Sequence, residues 1–266
     1  MSAAPSLPTI KMFWFGAALG RVQQLALRSF VANGHAVQLY VYEKPIGTPA
    51  DVECADAQAI LPRSAVFRHK RTGSLAPFSD WFRYRMLLVE GGIWCDADIV
   101  CLRPFDFTRD VVIASSGPGW LNNAVLGLPA GHALARWLND YCEHPSRWFP
   151  TDSWKTRLIK LRRKLLHRGD RARFRYGETG PKALTRIAKH LGLDVEALPA
   201  AEFFPLSDAE WRQAFDGSLR LDSPRLAASR AIHLSYEMIR RSVDHSPESR
   251  YRPDCLFEQL CSRYGV

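Results

Sequence analysis

With 266 residues, a hydrophobic share of 47% and a formal charge of +9, the chain has the apolar content for a sizeable core, which excludes a chain dominated by disorder. The excess charge sits in one segment: residues 155–175 hold ten Lys or Arg against the single acid Asp170, and 26 basic and 26 acidic residues balance elsewhere. Six cysteines with no C-x-x-C pair argue for reduced, mostly buried thiols instead of a disulfide framework, and with no run approaching 18 apolar residues a membrane-spanning helix is not expected.

Thr9 to Phe15 reads as a buried strand, Leu19 to Ala32 as a helix closed by Asn33-Gly34, and Ala36 to Tyr42 as a second strand. Met12 to Gly20 is apolar, but only Lys11 precedes it and the run is short, so a signal peptide is not expected. Strand, helix and strand in succession predict a right-handed βαβ unit with a parallel sheet, hence an α/β fold, and ligand chemistry at the carboxyl ends of its strands. Phe13, Trp14, Phe15 and Gly16 end the first strand. They are either a platform for a nucleotide base or core aromatics beside a turn.

Residues 44–78 are rich in turn formers, with a short strand expected at Ala57 to Leu61. Ser79 is a candidate cap for a helix from Asp80 to about Glu90, stopped by Gly91-Gly92. Asp80, Arg83, Tyr84 and Leu87 then share a face. That face is either a local ion pair on the first turn or a polar patch for substrate hydroxyls. Ile93 to Val100 reads as one extended strand, in which Asp96 and Asp98, two apart, point the same way. Two carboxylates on one face repel each other unless a cation sits between them, and Mg²⁺ or Mn²⁺ suits oxygen ligands.

Further strands are expected at Val111 to Ser115 and up to Leu128, with Gly117-Pro118-Gly119-Trp120 and Asn122-Asn123 between them, followed by a helix from His132 to about Tyr141. Asn122 and Asn123 fit a turn, or amides that donate to and accept from sugar hydroxyls. In the basic segment Trp154, Leu158, Leu161 and Leu165 recur at helical spacing with cations between them. Such a helix favours an anionic membrane surface or anionic acceptor; a solvated face and nucleic acid are the alternatives, the last disfavoured because no nucleic-acid motif accompanies the charge. Gly177 to Pro181 opens a helix from Lys182 to Leu191, Ala231 to Leu234 reads as a short strand carrying His233, and Cys255 to Tyr264 as a packing helix. A lone His among apolar residues is either a satisfied core side chain or a ligand to a divalent metal.

The stretch from Ser79 to Pro104, SDWFRYRMLLVEGGIWCDADIVCLRP, resembles the DXD region of family 32 glycosyltransferases and of the glucosyltransferase domains of large clostridial toxins. The shared pattern is S-D-x-x-R-Y, then Gly-Gly, an aromatic and D-x-D at fixed spacing. The resemblance implies a single GT-A-like domain over residues 1–266, a Rossmann-like mixed sheet flanked by helices, with a basic helical insertion at about 151–176. It implies a nucleotide-sugar donor, most often a UDP-sugar, with Mn²⁺ or Mg²⁺ as cofactor and transfer with retention. By position, Asp98 would ligate the metal and Asp96 would contact the ribose or sugar and the metal shell, with His233 a metal ligand by looser analogy, while Asp80 and Arg83 would hold the donor sugar. These two and the D-x-D acids make up the catalytic set. Tyr84, Trp94, Asn122, Asn123 and Gly180 complete the donor contacts together with Phe13, Trp14 and Phe15. Tyr236 stands where relatives often carry tryptophan.

The expected acceptor is a surface glycan or a lipid-linked molecule, with a protein acceptor as the alternative. Peripheral contact with an anionic membrane through residues 155–175, a cytoplasmic location at its inner face and no nucleic-acid partner go with that reading. Asp96-x-Asp98-x-Val100 also fits the nucleophile motif of haloacid-dehalogenase-like phosphatases, which leaves Asp80, Arg83 and Gly91-Gly92 without a role. A non-catalytic sugar-nucleotide-binding protein is the third reading.

Overall fold

A computed structural model describes residues 7–266 of the chain. Its first half contains β1 (Ile10–Phe13), α1 (Arg21–Ala32), β2 (Val37–Val41), β3 (Glu53–Asp56), α2 (Ala76–Val89), β4 (Gly92–Cys95), β5 (Ile99–Cys101), β6 (Val112–Gly117) and β7 (Trp120–Leu128). The second half contains α3 (Ala133–Glu143), α4 (Trp154–His167), α5 (Pro181–His190), α6 (Ala200–Phe203), β8 (Ala231–His233), α7 (Tyr236–Arg241) and α8 (Leu256–Tyr264). Contacts divide the described residues of this mixed α/β chain into two compact units, one of residues 7–56, 93–109 and 198–266, the other of residues 57–92 and 110–197. Among the described residues no helix is long and apolar enough to cross a membrane.

In the first unit β1 pairs in parallel with β2 on one side and with β4 on the other, and β2 pairs in parallel with β3. The expected βαβ opening is therefore present, but the third strand lies at Glu53–Asp56, and Ala57–Ala59 is a short 3₁₀ turn where a strand was expected. α1 buries Val22 and Leu25 in a core with Val100, Trp211, Phe257 and Leu260. Arg21 and Glu258 tie α1 to α8 through two parallel hydrogen bonds of 2.8 Å, the bidentate geometry that suits a guanidinium and a carboxylate.

His35, buried just after α1, is locked in one tautomer. The Phe105 N–H donates to Nε2 at 2.9 Å, so Nε2 must accept, and Nδ1–H donates to the Pro8 carbonyl at 2.8 Å. A second proton would abolish the Phe105 bond. Burial accordingly lowers the His35 pKa below 6.5, against the Pro8 carbonyl and Asp106. Below pH 6.5 the unfolded chain then binds more protons than the native one, so this contribution is complete above pH 6.5 and lost as pH falls. We expect native stability to decline with a slope of at most about 1.4 kcal/mol per pH unit from this site. Urea unfolding at pH 7 and pH 5 should show a smaller difference for His35→Gln than for the parent; equal differences would refute the assignment.

In the second unit α2 packs on α3 and β7, and α5 on β7 and α3. α2 begins one turn earlier than Ser79, at Ala76, because Pro77 fits the first turn where no N–H is required; the Ser79 N–H donates to the Leu75 carbonyl. The predicted Gly-Gly stop is where expected. Gly91 has φ +66°, and a Cβ there would lie 2.4 Å from the Ala130 nitrogen, so only glycine closes this turn. β6 and β7 form an antiparallel hairpin whose register shifts between Ile113 and Ala114. Asn122 and Asn123 belong to β7 at that irregularity, not to a turn between strands.

Candidate active site

The first cluster lies in the first unit, around the D-x-D. Ile93 to Val100 is not one strand: β4 ends at Cys95, Asp96 to Asp98 form a turn closed by the Ile99 N–H on the Asp96 carbonyl at 2.9 Å, and β5 starts at Ile99. The two acids are therefore aimed by a turn and not by strand alternation. Asp96 Oδ1 accepts from the Trp94 indole Nε1 at 2.7 Å. Trp94 is itself buried to 1% exposure, so its ring supports the acid from within the core.

Asp98 is held from three sides. β5 pairs antiparallel with β8, placing His233 opposite Ile99, and the Leu234 N–H donates to the Asp98 carbonyl at 3.0 Å. His233 Nε2 lies 3.2 Å from Asp98 Oδ2, which also accepts the Tyr236 N–H at 2.7 Å. That N–H points at the carboxylate because Ser235 adopts a left-handed backbone, φ 54°, an uncommon conformation for a residue other than glycine. Burial opposes charge on both side chains, but their mutual attraction and hydrogen bond prevail: Asp98 is pulled below the usual carboxylate value and His233 is raised to about 9. Asp96 and the exposed Asp208 add to the field that keeps the proton on His233. His233 is thus the partner of Asp98. Asp208, the Ser235 turn and the Tyr236 N–H carry no signal in the sequence pattern.

Among the described residues no group of three or more His, Cys, Asp or Glu is gathered as a ready-made metal cage. Mg²⁺ and related hard cations in phosphate-binding sites usually take one or two carboxylates, with waters and substrate phosphates completing the shell. The two D-x-D carboxylates fit that chemistry, and His233 would join them only after giving up the proton it holds against Asp98.

The aromatics at the end of β1 separate. Phe13 is core, edge-on to Tyr42 with ring centroids 6.1 Å apart. Phe15 meets Tyr42 edge-on at 6.0 Å and is half-buried. Trp14 donates Nε1 to the Ala18 carbonyl at 3.0 Å and meets Tyr236 edge-on at 6.0 Å, which brings it near the residue whose N–H binds Asp98.

The second cluster lies in the second unit, around Asp80. Asp80 Oδ1 accepts from Asn123 Nδ2 and Oδ2 from the Thr179 hydroxyl, both at 2.7 Å. Arg83 Nη2 lies 3.7 Å from Oδ1, and Arg83 donates through Nη1 to the Asn123 carbonyl. That carbonyl sits where the β6–β7 register shifts, and an irregular ladder there leaves it to a side-chain donor. Tyr84 donates its hydroxyl to the Thr179 carbonyl at 2.9 Å and accepts from Asn123 Nδ2 at 2.9 Å. Burial raises the Asp80 pKa, opposed by Arg83, Thr179 and Asn123. Gly180 closes the cluster: a Cβ there would stand 3.2 Å from Asp80 Oδ2.

Asp80, Arg83, Tyr84, Asn123 and Gly180, all candidates from sequence, are thus brought together, and Thr179 joins them as a partner that spacing did not single out. Asn122 stands apart, its Oδ1 accepting from the Ala124 N–H at 2.8 Å within β7. Each carboxylate oxygen of Asp80 retains a lone-pair direction for a further donor, such as a sugar hydroxyl.

Residues 51–116 match a family model described as a glycosyltransferase sugar-binding region containing a DXD motif. That span includes Asp80, Arg83, Tyr84, Trp94, Asp96 and Asp98 and stops before Asn122, Gly180 and His233. No curated protein matches the chain in sequence. A solved structure titled "PaToxG Glycosyltransferase" superposes with a TM-score of 0.45 at 13% identity, covering 71% of this chain and 71% of that one. The family match supports glycosyltransferase activity, with a nucleotide sugar and an acceptor as substrates.

Proposed function

We propose that the chain is a metal-dependent, retaining glycosyltransferase that moves a sugar from a nucleotide sugar, of the UDP-sugar class, to a surface-glycan or lipid-linked acceptor. The observation that carries this reading is the D-x-D turn within the matched span, whose Asp98 is held by His233 and the Tyr236 N–H. Asp98, Asp96 and His233 would hold Mn²⁺ or Mg²⁺, which when bound supplies positive charge against the diphosphate as it leaves. Trp94 fixes Asp96, and the Tyr236 N–H fixes Asp98, so neither acid has to reorganise as charge develops. Asp80 accepts from donor-sugar hydroxyls, with Arg83 holding its charge and Asn123, Tyr84 and Thr179 fixing its orientation.

No carboxylate outside the D-x-D is assigned as a general base, because transfer on one face of the sugar can use the leaving phosphate to take the acceptor proton. A cytoplasmic location, where nucleotide sugars are made, suits this chemistry. The test is a panel of nucleotide sugars, read as Mn²⁺-dependent thermal stabilisation and slow hydrolysis. A ligand at one hundred times its Kd stabilises the native state by about 2.7 kcal/mol, so binding is visible before the acceptor is known. Stabilisation and hydrolysis by a UDP-sugar is the expected result. Turnover of an aryl phosphate without affinity for UDP would instead favour the phosphatase, and stabilisation with no hydrolysis a binding protein.

A further inference from the structure

The rotation of α4 is the reverse of what its composition suggests. A surface helix ordinarily turns its apolar stripe to the core and its charges to water. In α4 the fully buried side chain is Lys160, with Arg163 next, whereas Trp154, Leu158, Leu161 and Leu165 are 67%, 54%, 39% and 71% exposed.

Specific partners fix this rotation. Lys160 Nζ donates to Asp152 Oδ2 at 2.7 Å and to the Arg147 carbonyl at 2.9 Å, and lies 4.1 Å from the centre of the Tyr141 ring. Arg163 donates to Glu178 Oε2 at 2.7 Å and to the Pro145 carbonyl, and stacks over Phe174. Turning the leucines inward would strand both pairs, and a buried charge without its partner is strongly destabilising. The outward stripe is therefore held in place by the fold.

At about 100° per residue, Trp154, Leu158, Leu161 and Leu165 fall within an arc of about 60° along the helix. Arg157 and Lys164 flank that arc on one side, and Lys155 and Arg162 on the other. α4 contains no Asp or Glu. A second exposed indole, Trp148, lies under Arg157, 5.7 Å from its guanidinium carbon.

We propose that α4 docks this protein on an anionic lipid surface, lying in the interface with Leu158, Leu161 and Leu165 among the acyl chains. Cations on both flanks of a narrow apolar stripe can extend their stems along the buried leucines and place their charges at the phosphates. Trp154 sits at one end of the stripe, and indoles favour the headgroup level. Charge complementarity selects the occupant. A second copy of the chain would set four cations against four, whereas an anionic leaflet attracts each of them. This inference rests on exposure and charge in α4 and not on the proposed transfer reaction.

The test is flotation of the full chain with vesicles of phosphatidylcholine alone and of three parts phosphatidylcholine to one part phosphatidylglycerol, at physiological ionic strength. Binding to the anionic vesicles is expected, weakened by added salt and by the R157Q/K164Q pair. The L158N/L161N/L165N variant changes only exposed side chains. It should fold normally, retain hydrolysis of a soluble nucleotide sugar, and partition at least about tenfold less onto anionic vesicles. The inference is overturned by no flotation, by equal flotation on neutral vesicles, or by flotation unchanged in the triple variant. It is equally overturned if the chain is a dimer in solution that the triple variant makes monomeric, which would assign the stripe to a second copy.

Discussion

Asp98→Asn is expected to lower kcat/KM for sugar transfer by about 10²- to 10³-fold, the cost typical of removing one element of charge stabilisation from an active site. The substitution keeps the shape of the side chain, and the new amide oxygen still accepts the Tyr236 N–H, so the turn survives. What disappears is the negative charge that faces His233 and would hold the cation. A loss of less than tenfold would remove Asp98 from the metal-binding role and the proposed reaction with it. A second readout works in the metal-free protein. His233 is raised to about 9 by Asp98 despite burial, so its contribution to stability is complete below pH 6.5 and fades as pH rises through about 9. Asp98, held below 3.8, contributes above that value and loses its contribution as pH falls through the lowered one. Urea unfolding in the presence of a chelator should therefore show the parent more stable than Asp98→Asn by roughly 2 kcal/mol near pH 6, with the gap closing towards pH 9. A ligating His233 must shed the same proton, so His233→Gln should leave this protonated pair absent while costing less activity than Asp98→Asn, about 10- to 100-fold.

The periodicity of the first forty residues is sufficient to place β1, α1 and β2, because apolar spacing and the Asn33-Gly34 stop act locally. The D-x-D turn escaped the same reasoning. Ile93-Trp94-Cys95 and Ile99-Val100-Cys101 read as one apolar run, and no Gly or Pro between them marks the break. The partnership of Asp98 with His233 was equally hidden, since it depends on β5 pairing with β8, a non-local event that spacing does not encode. The matched stretch made Asp80 and Arg83 visible as a face of α2, but Thr179 joins them only because α5 and β7 pack together. The rotation of α4 shows the limit most plainly. Its leucine stripe is evident from the sequence, but whether the stripe faces in or out depends on Asp152, Glu178 and two backbone carbonyls outside the helix.

Asp80 gives the second large effect, and comparing two substitutions separates its chemistry from its packing. Asp80→Asn can keep an oxygen on Asn123 Nδ2, while its new amide donates to a Thr179 hydroxyl that rotates to accept; the hydrogen-bond count is preserved. The lost charge weakens the pairing with Arg83 across 3.7 Å and removes the acceptor for donor-sugar hydroxyls. We expect stability within about 1 kcal/mol of the parent and kcat/KM lowered about 10²-fold, the scale on which a site loses discrimination when a buried polar partner is missing. Asp80→Ala removes the acceptor altogether. Asn123 Nδ2 and the Thr179 hydroxyl then lose a partner, and the Arg83 guanidinium, 3% exposed, loses its ion pair with Asp80. The expected cost is about 3 kcal/mol, the scale for breaking a buried charged pair, with activity lost at least as far as in Asp80→Asn. Chemical denaturation and donor-saturation kinetics on both variants distinguish the outcomes. A role in holding the sugar predicts that Asp80→Asn separates activity from stability, while a purely structural ion pair predicts that its activity stays near the parent and that only Asp80→Ala fails, by unfolding.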